Sequence, residues 1–254
     1  MSVDEVDLQY LSSTSGKGLI EGEFGWLASH RHSRKLRRGA HQHNNFSITV
    51  RDIANVGQRV DHTVSQTQGA GFANYFGPQR FGINYQNLPK AKTYFSNSKR
   101  KITRTQRSLL ISSARSQLFN RVCAARVKAG TWNEPLLGEP MMLSGTHSFF
   151  TNDGSDDVVM RCSRHDVHPT GPMWGSGESL ALADCKQMES YVLRDDITFL
   201  QGLEKAGLKQ QRRALRATVN GLSWQWQSPE IVTFHFKLLK GVYATCFLSE
   251  FMIY

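Results

Sequence analysis

The feature that most restricts this chain is a change of hydrophobic period along its length. From Thr105 to Lys128, Leu109, Leu110, Ala114, Leu118, Val122 and Ala125 recur at spacings of three and four, which predicts a helix. Toward both ends the period falls to two. In Asn45 to Val50 (NFSITV) the apolar residues stand at 46, 48 and 50, a strand pattern. Leu222 to Trp226, Ile231 to Leu238 and Tyr243 to Phe247 also read as strands. The reading is therefore of strands near both ends and helix in the middle.

The intervening segments fill in this outline. Residues 51–70 read as a polar helix carrying Ile53, Val56, Val60 and Val64. Gly69 to Asn87 is rich in Gly, Asn and aromatics and reads as loop. His168 to Pro172 holds two prolines and cannot be helix interior. Leu180 to Leu203 reads as one helix, followed by a basic segment from Lys209 to Val219. Val6 to Ile20 reads as a strand and turn. No internal repeat is visible.

Composition narrows the class. The chain has 254 residues, 39% hydrophobic and 20% charged, enough to bury a core. Its 31 basic and 21 acidic residues leave a net charge of +10, which suits a polyanion such as nucleic acid. No apolar run approaches the roughly 20 residues of a membrane span. The opening MSVDEVDLQYL is acidic, unlike a signal peptide. The four cysteines (Cys123, Cys162, Cys185 and Cys246) are scattered and fit reduced thiols. A cytoplasmic protein is the expectation.

Three groups of residues could carry chemistry. His43 to Arg51 (HNNFSITVR) puts amides and an aromatic at a strand start, where Asn can read a base edge and Phe can stack on a base face. The run His30 to His43, with Arg34, Lys35, Arg37 and Arg38, could follow a phosphate backbone. Each also has a plain reading, as strand cap with core Phe and as solvated loop. Cys162, His165 and His168 are metal-ligand types, but their spacing matches no standard zinc pattern and no metal is expected. Neither Asp156-Asp157 nor Asp195-Asp196 makes a dyad, because adjacent side chains diverge.

Longer blocks carry a resemblance. HNNFSITVR, NYFGPQRFG (Asn74 to Gly82), RSLLISSARSQLFN (Arg107 to Asn120), MMLSGTHSFF (Met141 to Phe150), DVHPTGPMWG (Asp166 to Gly175) and GVYATCFLSEF (Gly241 to Phe251) occur in this order. With LQYLSSTSGKGLI (Leu8 to Ile20), the set resembles the TruD family of tRNA pseudouridine synthases. The resemblance implies a catalytic domain with a mixed, mostly antiparallel sheet and helices, plus an inserted α/β domain. Here residues 1–70 and 218–254 would form the first part and 71–217 the second. It implies isomerisation of uridine (U13) in tRNA without cofactor or metal. An Asp carboxylate would release the uracil, which turns and rejoins through carbon. By the same resemblance Asn44 and Phe46 contact the base. Tyr243 stands for the aromatic of a closing strand around the nucleotide, where the family often has Phe.

The resemblance breaks at one place. The family's catalytic Asp lies in a Gly-x-Lys-Asp segment between the Gly-Leu-Ile strand and the basic run. Here Ile20 leads directly into EGEFGWLASHRHSRKLRRG, with Glu21 in place of a family Lys. Several tens of residues are expected to be missing, and no catalytic residue is identified. Asp52, Asp61 and Asp166 belong to other blocks. Impaired isomerisation is the expectation; the alternative is a non-catalytic RNA-binding member of the family.

Overall fold

The computed structural model describes residues 41–53, 57–97 and 101–251. The chain divides after Gln42, and the residues from His43 onward form one unit. In chain order this unit holds β1 (His43–Val50), α1 (Gly57–Ala70), β2 (Phe72–Ala73), α2 (Asn87–Ser96), α3 (Arg104–Lys128), β3 (Pro140–Leu143), β4 (Phe149–Thr151), α4 (Asp156–Ser163), β5 (Val167–His168), β6 (Thr170–Met173), α5 (Ala183–Leu193), α6 (Ile197–Lys205), β7 (Gln211–Ala214), β8 (Arg216–Ala217), β9 (Asn220–Ser228), β10 (Ile231–Leu239) and α7 (Ala244–Ser249). Two short 3-10 turns lie at Pro78–Phe81 and Ile83–Tyr85. The expected mixed α/β class is observed. The strands form four small sheets, and every pairing between them is antiparallel.

The largest sheet has the order β1-β10-β9. Its period-two pattern decides which face is buried. Val232, Phe234, Phe236 and Leu238 of β10 point into one cluster, and Phe46, Ile48 and Val50 of β1 pack against it. The register sets Phe46 opposite Phe236 and Asn44 opposite Leu238. Helix α1 covers this face through Val60 and Val64, as their spacing of four requires. Asp61 ties the helix to β9: its Oδ1 accepts the indole N–H of Trp224 at 2.6 Å and of Trp226 at 2.9 Å. Ile53 precedes the helix rather than lying in it, and is still buried.

Helix α3 is the axis of the middle of the chain. Thr103 caps it, accepting from Gln106 N while the Gln106 side chain accepts from Thr103 N, both at 3.2 Å. One face (Leu110, Ala114, Leu118, Val122) packs with Ala91 of α2, Leu193 of α5 and Leu203 of α6. Another (Phe119, Cys123) packs with Phe76, Phe81 and Leu215. Two ion pairs are buried nearby. Glu139 accepts from Arg126 at 3.1 Å and from the amide of Thr170 at 2.9 Å. Arg212 donates to Glu189 at 2.7 Å and to the Thr170 carbonyl at 2.7 Å. Thr170 thus joins the pairs, and burial pushes the Glu139 carboxyl up against the pull of Arg126.

Three expectations are corrected. Leu180 to Leu203 is two helices, α5 and α6, because Asp196 leaves helical backbone and takes the N-cap of the second. The glycine-rich segment is not wholly loop: α1 runs to Ala70, and β2 and the 3-10 turns come after it. Tyr243 to Phe247 is not a strand. Tyr243 is the extended N-cap of α7, whose Phe247 and Leu248 are buried together with Phe251, two residues past the end of the helix. A short apolar run cannot separate the two periods by itself.

Cys162, His165 and His168 are drawn into packing. The Cys162 thiol donates to the Asn133 carbonyl at 3.3 Å. His168 Nδ1 accepts from Arg216 Nε at 3.0 Å, and Nε2 lies 3.3 Å from Ser144 Oγ. Burial first, then the charges of Arg216 and His165, push the His168 imidazole down to about 4.

Asp61→Ala leaves two indole N–H groups without their acceptor and should lower stability by about 2 kcal/mol. Urea unfolding monitored by tryptophan fluorescence measures this, and an unchanged midpoint would contradict it. His168 titrates lower folded than unfolded, where its pKa is about 6.5. Acidification through that value toward 4 protonates the unfolded chain first, so stability held above that window is lost within it. His168→Asn should flatten that part of a plot of melting midpoint against pH; an unchanged slope would contradict the assignment.

Candidate nucleotide-binding site

The sequence-predicted contacts lie on two different elements. Asn44 and Phe46 are alternate residues of β1 and share its inward face. The Phe46 ring stacks on Phe236 at 5.1 Å with 20° between planes. Phe236 in turn meets Phe247 of α7 at 4.6 Å. Tyr243 begins that helix, and its carbonyl accepts from Phe247 N at 3.4 Å. Phe46 and Tyr243 therefore pack against one hydrophobic cluster. Among the described residues the Asn44 side chain makes no hydrogen bond. Arg34, Lys35, Arg37 and Arg38 lie outside the described residues, as does the Ile20–Glu21 junction.

Around Tyr243 the structure gathers residues that sequence reasoning passed over. The turn from Asn74 to Gly82 wraps its ring. Phe76 meets Tyr243 at 6.0 Å, edge to face. Gly77 comes so close that a Cβ there would stand 2.8 Å from the Tyr243 ring and 2.8 Å from Thr245 Oγ1. Only glycine leaves that space. Arg80 Nε donates to the Tyr243 hydroxyl at 2.9 Å. Arg80 Nη1 donates to Ser112 of α3 at 2.8 Å.

A second guanidinium completes the cluster. Successive residues of β7 point to opposite sides, so Arg212 enters the Glu189 ion pair while Arg213 turns to the aromatics. Its Cζ lies 4.2 Å from the Phe76 ring centroid and 5.5 Å from that of Phe119. Arg213 Nη2 donates to the Asn74 side chain at 2.5 Å and to the Gly241 carbonyl at 3.0 Å. No carboxylate faces Arg80 or Arg213 among the described residues, and Arg213 Nε is buried without a hydrogen-bond partner there. Burial pulls the Arg213 guanidinium down to about 10 and pushes the nearby Cys123 thiol up to about 12. Cys123 is accordingly an unreactive thiol. The cluster offers cation and aromatic surface, and no general base.

An arginine between aromatics in NYFGPQRFG was the available signal for Arg80. Nothing local marked Arg213, one of several basic residues in its segment.

Comparisons with known proteins bear on the family and the fold. The family model described as tRNA pseudouridine synthase D (TruD) matches residues 22–88 and 85–251. The tRNA pseudouridine synthase D of Nitrosococcus oceani is 44% identical over 222 residues, covering 87% of this chain and 62% of that protein. That of Xanthomonas axonopodis pv. citri is 39% identical over 235 residues, covering 86% and 64%. The chain thus spans less than two thirds of the length of these curated relatives. A tRNA pseudouridine synthase D (TruD) crystal structure from Methanosarcina mazei shares the fold at TM-score 0.64 and 17% identity, covering 84% of this chain and 69% of that one. With the family match running through nearly all of the blocks that shape β1, α3 and the Tyr243 turn, the chain belongs to the tRNA pseudouridine synthase D (TruD) family.

Proposed function

We propose that this chain acts on tRNA as a pseudouridine synthase of the TruD type, directed at U13 and impaired in turnover. The observation that carries the reading is the placing of Phe46 on β1 and Tyr243 at the N-cap of α7 against one aromatic cluster, inside two family blocks. An extruded uridine needs stacking surface and an amide for its edge, which Phe46, Tyr243 and Asn44 supply by type. Arg34, Lys35, Arg37 and Arg38 would hold the RNA backbone, in keeping with a net charge of +10. No helix among the described residues is long and apolar enough to cross a membrane. The reading places the protein with its tRNA in the cytoplasm, needing no cofactor and no metal.

The impairment rests on the missing Gly-x-Lys-Asp segment after Ile20. Without the attacking carboxylate, most of the rate enhancement goes. The same observation supports the second reading, an RNA-binding member of the family with no turnover at all. In either case the parts divide as residues 1–70 with 218–254, and 71–217. Gly71, at φ 79°, sits where the two crossings of that boundary meet, and a Cβ there would stand 2.5 Å from the Ala217 carbonyl.

Binding of an unmodified tRNA transcript across about 50 to 200 mM salt tests the tRNA assignment. With four cations on phosphates, log Kd should change with log salt at a slope of about 3 in magnitude. Replacing Arg34, Lys35, Arg37 and Arg38 with Gln should flatten that slope. Binding indifferent to salt would contradict the reading.

A further inference from the structure

We propose that Arg80 is a positioning residue: it holds the Tyr243 ring in the orientation that receives the nucleotide. The proposal rests on the assignment of Tyr243 as a nucleotide contact. Tyr243 stands at the N-cap of a helix only six residues long, in extended backbone, so its own element does little to orient the ring. The orientation comes from the turn at Gly77 to Arg80. Gly77 abuts one ring edge, Phe76 presents its edge at 6.0 Å, and Arg80 fixes the far end through the hydroxyl.

Arg80 is itself held at both ends. Its carbonyl accepts from Ser113 Oγ at 2.8 Å, and its guanidinium donates to Ser112 Oγ at 2.8 Å. Both serines belong to α3, the buried axis of the middle of the chain. The path from α3 to Tyr243 is thus two hydrogen bonds through one rigid, planar fork. A lysine, a point charge on a flexible stem, cannot reproduce it. The guanidinium Cζ also lies 5.4 Å from the Phe76 centroid and 6.0 Å from that of Tyr243, so the charge sits among the rings it orders. A ring already oriented before RNA arrives loses less freedom on binding.

The test is a thermodynamic cycle on tRNA affinity in the full chain, with Arg80→Met, Tyr243→Phe and the double variant. Each single change should weaken binding about three- to tenfold, and the double should be no weaker than either single, because both remove one interaction. The salt slope should stay that of the parent. Arg80→Lys should not restore affinity. Ser112→Ala, which loosens Arg80 without touching Tyr243, should give a smaller loss in the same direction. If Arg80→Met does not fold, as circular dichroism reports, Ser112→Ala and Tyr243→Phe carry the same cycle.

A slope reduced by about one would overturn the proposal, since Arg80 would then neutralise a phosphate directly. Losses that multiply in the double variant, or no loss in any variant, would overturn it as well. A parent chain lacking salt-sensitive tRNA binding would sink the functional assignment and this proposal with it. A parent that binds normally, with Arg80→Met unchanged, would sink this proposal alone.

Discussion

The site depends on the packing of one side chain, Phe247. It is fully buried and touches four other phenylalanines: Phe72 at 5.6 Å, Phe234 at 6.4 Å, Phe236 at 4.6 Å and Phe251 at 5.3 Å. These rings come from β2, from β10 and from the turn just after α7, and the first two are far from α7 in sequence. Their burial contributes apolar area and edge-to-face contact together. The consequence is geometric. Phe236 holds Phe46 on one side, and Phe247 sets the helix that begins at Tyr243 on the other. Two aromatics 197 positions apart in sequence (243 − 46) are placed by one buried core.

The arginines divide by how their charge is met. Arg126 and Arg212 face Glu139 and Glu189 and are joined through Thr170, so their desolvation is offset by ion pairing and hydrogen bonds. Arg80 and Arg213 face aromatic rings, carbonyls and hydroxyls instead. Those acceptors take some of the N–H groups, leaving Arg213 Nε without a partner among the described residues, and they leave the net charge standing. Both uncompensated guanidiniums flank Phe76, beside Tyr243. A positive field at that point suits a polyanionic partner.

Much of the scaffold is legible in the sequence because periodicity is local. The alternation of Phe46, Ile48 and Val50 matches β1, and the three-four spacing around Leu118 matches α3. Tyr243 to Phe247 reads wrongly as a strand because five apolar-rich residues fit either period, and the deciding fact, burial of Phe251 one turn later, is tertiary. The break between α5 and α6 depends on the backbone at Asp196, which apolar spacing does not register. Asn44 and Phe46 are named through the resemblance of the HNNF block, and alternation adds only that they share one face of β1. Arg80 cannot, since its partner lies 163 residues away. Arg213 lies beside an arginine of equal charge and unlike role, and only the pleat of β7 separates them.

Release of tritium from tRNA labelled at uridine C5, with purified chain in excess, tests the central claim most directly. Release requires the C5 hydrogen to leave and so reports isomerisation itself. The account predicts salt-sensitive tRNA binding with release at or barely above background, because it assigns the nucleotide contacts to Asn44, Phe46 and Tyr243 and proposes that the attacking carboxylate is missing. Rapid release at a single uridine would contradict it, and would mean that another carboxylate of this chain, or of a second copy, serves as nucleophile.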